Sequence, residues 1–151
     1  LERSLRRLGT DRVEILLLHS DGRDRLHLEE GDALETLLRL KEEGKARCVG
    51  ISAKTAEGVQ AAVGRLDVVM APYSLADPSR GEALAEARGR GLGTLGIKVL
   101  GSGHLARRAG ADEALAHALS RPFLDAIVVG TLHPAHLAQA VQVAGTVTTH
   151  D

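Results

Sequence analysis

Among the side chains of this sequence that could do chemistry, the best placed is His19, the last residue of the apolar run VEILLLH at 13–19. At the carboxyl end of a parallel strand, a side chain points into the region where barrels and open α/β sheets bind ligands. An imidazole N–H there can donate to a carbonyl oxygen and stabilise developing negative charge. A histidine on an apolar strand is otherwise a hydrogen-bonded core residue, so position carries the argument. GSG at 101–103 follows another apolar run; it reads either as a cradle whose backbone N–H groups hold a phosphate or as an ordinary flexible turn. Lys98, on a strand near its C-terminal end, is a second polar group lining the same region or a snorkelling side chain.

Other groups count for less. His133 and His136 have the i, i+3 spacing of a metal pair, but no third ligand accompanies them nearby and a site needs three or four, so no metal is expected. GLGTLG at 91–96 has the glycine spacing of a dinucleotide fingerprint. That fingerprint must follow a strand and open a helix, whereas this stretch follows a helical pattern and enters a strand, so Gly91 reads as a helix terminator. Asp21, Asp24 and Asp77 fall in loops and read as solvated charge; the single cysteine, Cys48, reads as a small buried strand residue.

The elements that must carry these residues are legible as alternation. Apolar runs recur at 13–19, 46–52, 67–71, 94–100 and 125–130, continuous rather than alternating, as in strands buried on both faces of a parallel sheet. Helical patterns separate them. Asp32 with Glu35, and Ser79 with Glu82, have capping-box spacing; Thr55 and Asp112 are placed to start helices; Gly44 closes one, and Pro134 suits a first turn. Repeated strand-plus-helix units demand a parallel sheet, and five strands do not close an eight-stranded barrel. No sequence repeat links the units. The stretch 145–151 reads as a frayed or cut terminus.

Composition bounds the function. With 151 residues, the chain forms one domain with a sizeable core. Nineteen Lys and Arg against 20 Asp and Glu leave a net charge of −1 and no polybasic run, so neither nucleic acid nor a membrane is an expected partner. One cysteine, no long apolar run and no signal-peptide pattern fit a soluble cytoplasmic protein. Tyr73 and Phe123 are the only aromatic residues, so the core must be Leu, Val, Ile and Ala.

Five stretches then match one family in order: LERSLRRLGTDRVEILLLHS, LLRLKEEGKARCVGIS, DVVMAPYSL, IKVLGSGHL and AIVVGTLHPAHLAQAV. Together they resemble the aldo-keto reductases, across nearly the whole chain. The resemblance implies an α/β fold, an incomplete (β/α)8 barrel of about five parallel strands with outer helices, comprising strands four to eight over residues 1–151. It implies NADPH or NADH as cofactor and a small aldehyde or ketone as substrate, hydride passing to the carbonyl carbon while a tyrosine, tuned by a lysine and an aspartate, protonates the oxygen.

Of that catalytic set only the histidine has a counterpart, His19; Tyr73 follows a later strand and reads as a pocket wall or loop anchor. By the same resemblance Ser52 holds the nicotinamide carboxamide, Leu100, Gly101 and Ser102 form the pyrophosphate loop, and Gly130, Thr131 and His136 meet the adenosine end. Departures are Ala53 for an asparagine, Met70 for a glutamine, Ile97 for an aromatic ring, and Gly130 with Thr131 at a lysine and serine site. His136 stands where an arginine often grips the adenosine phosphate, which leaves NADP and NAD both open. The start at Leu1, without an initiator methionine, reads as a beginning partway through a fold. On that reading the chain alone reduces carbonyls poorly and self-associates through exposed sheet edges. Competing readings are a non-catalytic nucleotide-binding or interaction module on the same fold, and an open doubly wound domain.

Overall fold

Five parallel strands lie side by side in chain order, β1 (Val13–His19), β2 (Ala46–Ser52), β3 (Val68–Pro72), β4 (Gly93–Ile97) and β5 (Ala126–Val128). The computed structural model describes residues 1–103 and 110–147. His104 and Leu105 of the IKVLGSGHL stretch and residues 148–151 of the tail lie outside the described residues. The sheet curls into half of a barrel wall. Around it run α1 (Glu2–Leu8), α2 (Asp24–Glu29), α3 (Ala33–Glu42), α4 (Ala56–Ala62), α5 (Gly81–Gly89), α6 (Ala111–Leu119) and α7 (Pro134–Thr146).

The two faces of the sheet differ. Successive strand residues point to opposite faces, and the row Val49, Ile51, Val69, Ala71 is fully buried against Leu37, Val59 and Leu84 of the helices. The opposite, concave face carries Ile15, Met70, Leu95, Ile97 and Val128, with Ile15 43% and Val128 50% exposed. Continuous apolar runs predict burial on both faces; only the helix side is sealed by the described residues. A second cluster, built on Val99, Leu115, Ala118, Ala140 and Val143, fills the space between α6, α7 and the end of β4.

Strand entry is fixed by two aspartates. Asp67, just before β3, accepts from the Val49 amide (2.9 Å) and from Lys41 Nζ (2.6 and 2.7 Å). Asp125, just before β5, accepts from the Thr94 amide (2.8 Å) and pairs with Arg88 Nε (2.9 Å). Each aspartate follows a leucine and ties its strand to the neighbour already laid down, a two-residue repeat that the sequence reading missed.

Strand β4 ends at Ile97, three residues short of the 94–100 run, because Lys98 turns out of the sheet at φ 56°. Lys98 therefore lies beyond the strand, not on it. Thr55 caps α4 as expected, accepting from the Gly58 amide at 3.0 Å, and Gly44 leaves α3 at φ 73°. The two capping boxes do not form: α3 and α5 have no side-chain cap, and the Ser79 hydroxyl donates to Asp77 (2.6 Å) instead. Asp112 lies in the first turn of α6, accepting from Gln139 Nε2 of α7 (2.7 Å). Short helix α2 falls where the sequence reads as loop, and Cys48 is half-buried rather than buried.

Candidate functional site

The carboxyl ends of the five strands form one edge, and both candidate groups of residues lie along it. His19 and Ser52 are direct register partners on β1 and β2, and the register continues to Met70, Leu95 and Ala126 across the sheet. Such a row projects to one face, the concave one. His19 is exposed at its strand end, while Ser52 is only 6% exposed. The Ser20 amide donates to the Ser52 carbonyl at 3.4 Å and the Ala53 amide to the Met70 carbonyl at 2.8 Å, so the backbone of the pair is held from both sides.

Beyond β4 and β5 the edge opens into a cleft of about 830 Å³. Leu100, Ser102, Gly130, Thr131 and His136 all line it, with Leu115 and Ala140 as its apolar floor. Gly101 belongs to the 3₁₀ turn Gly101–Gly103 at its margin. The sequence-derived residues thus come together as two groups: five share the cleft, and His19 with Ser52 stands at the other end of the edge. Strands spaced ~4.8 Å apart put β4 ~10 Å from β2, so only an extended ligand reaches both.

The turn is unusual in its backbone. Gly101, Ser102 and Gly103 have φ 55°, 55° and 87°, after Lys98 at 56°. For the two non-glycine residues the left-handed conformation costs about 1–2 kcal/mol each, strain that collects at ligand-binding positions. Among the described residues, a Cβ at Gly103 or Gly130 would meet nothing within 4 Å, so backbone is open to an approaching ligand at both. Thr131 Oγ1 accepts from the His133 amide (3.1 Å) and lies 3.5 Å from His136 Nδ1. His133 packs edge-on against His136 with centroids 5.0 Å apart. An apolar floor, open glycine backbone, the Lys98 ammonium and the hydrogen-bonding Thr131 and His136 side chains suit a flat heterocycle joined to phosphate. A dinucleotide therefore fits the residues present. Sequence reasoning missed Leu115, Gln139 and Ala140; the helical spacing from His136 to Gln139 and Ala140 was the available signal.

Around the other group the charges are fixed. Asp21 accepts from Arg23 Nε and Nη2 (2.9 and 2.7 Å) and lies 2.9 Å from His27 Nε2, and the guanidinium holds its carboxyl well below the usual range. Asp24, read as solvated, is 1% exposed. Both its oxygens accept from the Lys54 amide, at 3.2 and 3.0 Å, and Oδ2 also from the Thr55 amide (2.8 Å) and hydroxyl (2.6 Å). Burial alone would raise this carboxyl; the Ser20 and Thr55 hydroxyls and the two amides outweigh it and hold it below its ordinary value. Tyr73 anchors the loop after β3: it is 4% exposed, stacks on His117 with centroids 5.8 Å apart and meets Phe123 edge-on at 5.2 Å. Burial, with Arg121 nearby, pushes His117 below the usual histidine value.

Three comparisons bear on this arrangement. The sequence profile of the Aldo/keto reductase family matches residues 1–114. A D-threo-aldose 1-dehydrogenase of Pseudomonas sp is 31% identical over 109 residues, 69% of this chain and 33% of that protein. The crystal structure of PA4992, an assigned aldo-keto reductase of Pseudomonas aeruginosa, superposes with a TM-score of 0.88 at 36% identity, over 97% of this chain and 57% of that one. The apo aldo-keto reductase AKR11C1 of Bacillus halodurans shares the fold, with a TM-score of 0.81 at 20% identity over 95% of this chain and 60% of its own. The chain thus spans between a third and three fifths of the length of these relatives.

Proposed function

Because the chain belongs to the aldo/keto reductase family, we propose that it supplies the cofactor-binding edge and the carbonyl-orienting histidine of an NAD(P)H-dependent oxidoreductase acting on a small aldehyde or ketone. The observation that carries this reading is the placement of His19 and Ser52 as register partners on the same strand-end edge as the cleft. The nicotinamide cofactor, when bound, supplies or accepts the hydride. Ser52 is the residue to hold its carboxamide, Leu100, Gly101 and Ser102 the pyrophosphate, and Gly130, Thr131 and His136 the adenosine end. His19 donates its N–H to the carbonyl oxygen and orients the substrate over the concave face.

These 151 residues contain no counterpart of the tyrosine, lysine and aspartate that complete the set in the family resemblance. We therefore propose that on their own they bind nucleotide and reduce carbonyls very slowly, the five strands standing as four to eight of an eight-stranded barrel. Strands β1 and β5 each have one edge unpaired among the described residues, and self-association through these edges accompanies that reading.

Titration of the purified chain with NADH and NADPH, read by the emission of the reduced nicotinamide, tests the proposal. Saturable binding that Gly130→Asp weakens, by filling the open space at the adenosine end with a charged side chain, is the expected result. No saturable binding of either nucleotide by folded protein overturns it. Efficient aldehyde reduction by the chain alone overturns the part concerning the proton donor.

A further inference from the structure

We infer that Asp24 is a positioning residue for the His19 and Ser52 pair, its buried carboxylate tying the loop after β1 to the loop after β2 and so setting the two strand ends relative to each other. The inference rests on the proposed roles of those two residues and adds a third that the sequence reading left as solvated charge.

Two loops meet at this one carboxylate. On the β1 side, Ser20 follows His19 directly, is fully buried and accepts from the Gly22 amide at 2.9 Å through its hydroxyl, and Asp24 opens α2 five residues beyond His19. On the β2 side, Lys54 and Thr55, two and three residues beyond Ser52, turn their amides onto the same carboxylate. Arg80, from the loop after β3, donates from Nε and Nη2 to the Lys54 carbonyl (both 3.3 Å) and is itself paired with Asp77. The Lys54 backbone is therefore held at both its N–H and its C=O, and three successive loops are joined behind the pair.

The chemistry is specific to a carboxylate of this length. Three donors converge on Asp24, two amides and one hydroxyl, and an asparagine would offer one acceptor oxygen and turn an NH₂ toward the remaining donors. A longer acid has no room: a Cβ placed at Gly58 of α4 would lie 2.2 Å from Asp24 Cβ and 2.4 Å from Oδ2, so the carboxylate already rests on the helix backbone. A cap for α4 alone would not need Asp24, since Thr55 itself caps the Gly58 amide.

The test compares ligands that reach different ends of the edge, in the full chain. AMP engages only the cleft between β4 and β5, whereas NADH and NADPH extend to Ser52. In Asp24→Asn, NADH and NADPH binding is expected to weaken about tenfold, the scale of one broken charged hydrogen bond, with AMP binding unchanged. The NMR signals of the His19 ring and the Ser52 amide should shift while those of Thr131 and His136 stay. Equal weakening of AMP and dinucleotide, or unmoved His19 and Ser52 signals with unchanged NADH affinity, overturns the inference. If the parent chain binds neither nucleotide, the proposed function fails and the His19 and Ser52 signals alone decide the positioning role. Should Asp24→Asn not fold, Thr55→Val, which removes one hydroxyl donor, must move the same two signals to sustain it.

Discussion

Replacing Gly58 by alanine sets two effects of known size against each other. Gly58 is buried at the third position of α4, and in an unobstructed helix the change is worth about 1 kcal/mol in favour of alanine. Here the new methyl would stand 2.2–2.5 Å from three atoms of Asp24. Accommodating one misplaced methyl in a packed interior costs ~1–3 kcal/mol, and displacing the carboxylate sacrifices hydrogen bonds to a charged group worth about 1.5–3 kcal/mol each. The bonds move together and are not additive, so the net expectation is a loss of roughly 2–4 kcal/mol. At ~2–4 °C per kcal/mol for a chain of this size, Tm falls by about 5–15 °C.

The control is Gly89, exposed at the end of α5, where an added methyl would meet none of the described residues within 4 Å and alanine should raise Tm by about 1–4 °C. Thermal and urea unfolding followed by far-ultraviolet circular dichroism measures both variants. A Gly58→Ala protein at least as stable as its parent would refute the reasoning, because helix propensity would then have won over the contact with Asp24.

Two further predictions rest on other parts of the fold. Thr94→Val keeps the shape of a fully buried side chain but removes the hydroxyl that donates to the Phe123 carbonyl at 2.7 Å, and should cost ~1–3 kcal/mol; an unchanged urea midpoint would show the bond to be dispensable. His117 has a folded pKa below its unfolded value of 6.5, so below that pH the unfolded chain takes up a proton that the folded chain refuses. Stability should accordingly fall as pH drops from 7 toward 5, before the depressed carboxyls of Asp24 and Asp67 are protonated below 3.8. His117→Gln should flatten the upper part of that profile in pH-dependent unfolding, and a profile that keeps its slope assigns the effect elsewhere.

Local pattern carried the sheet and the cleft but not the loops. The runs ending at His19 and Ser52 were legible because buried parallel strands are apolar throughout and end where polarity returns. The GSG turn and His136 were legible because glycine and a helix start punctuate the chain. Asp24 was not: a carboxylate in a polar loop looks solvated until the amides of Lys54 and Thr55, thirty residues away, are brought to it. Ser79 failed as a cap for a nearer reason, since its hydroxyl finds Asp77 before it finds a helix amide. Lys98 was misplaced because periodicity cannot register a left-handed residue that ends a strand within an apolar run.

The stack of Tyr73 on His117 also determines how this protein can be watched. The chain has no tryptophan, and its one tyrosine packs on Phe123 beside the seam where Leu124 joins the two core clusters. Near-ultraviolet signals therefore report on that seam rather than on the molecule as a whole. On the proposed function, bound reduced nicotinamide would emit from the Ser52 end of the strand-end edge, free of tryptophan energy transfer. Two optical channels thus follow two separate places, the junction of α5 with α6 and the strand-end edge, without a label on either.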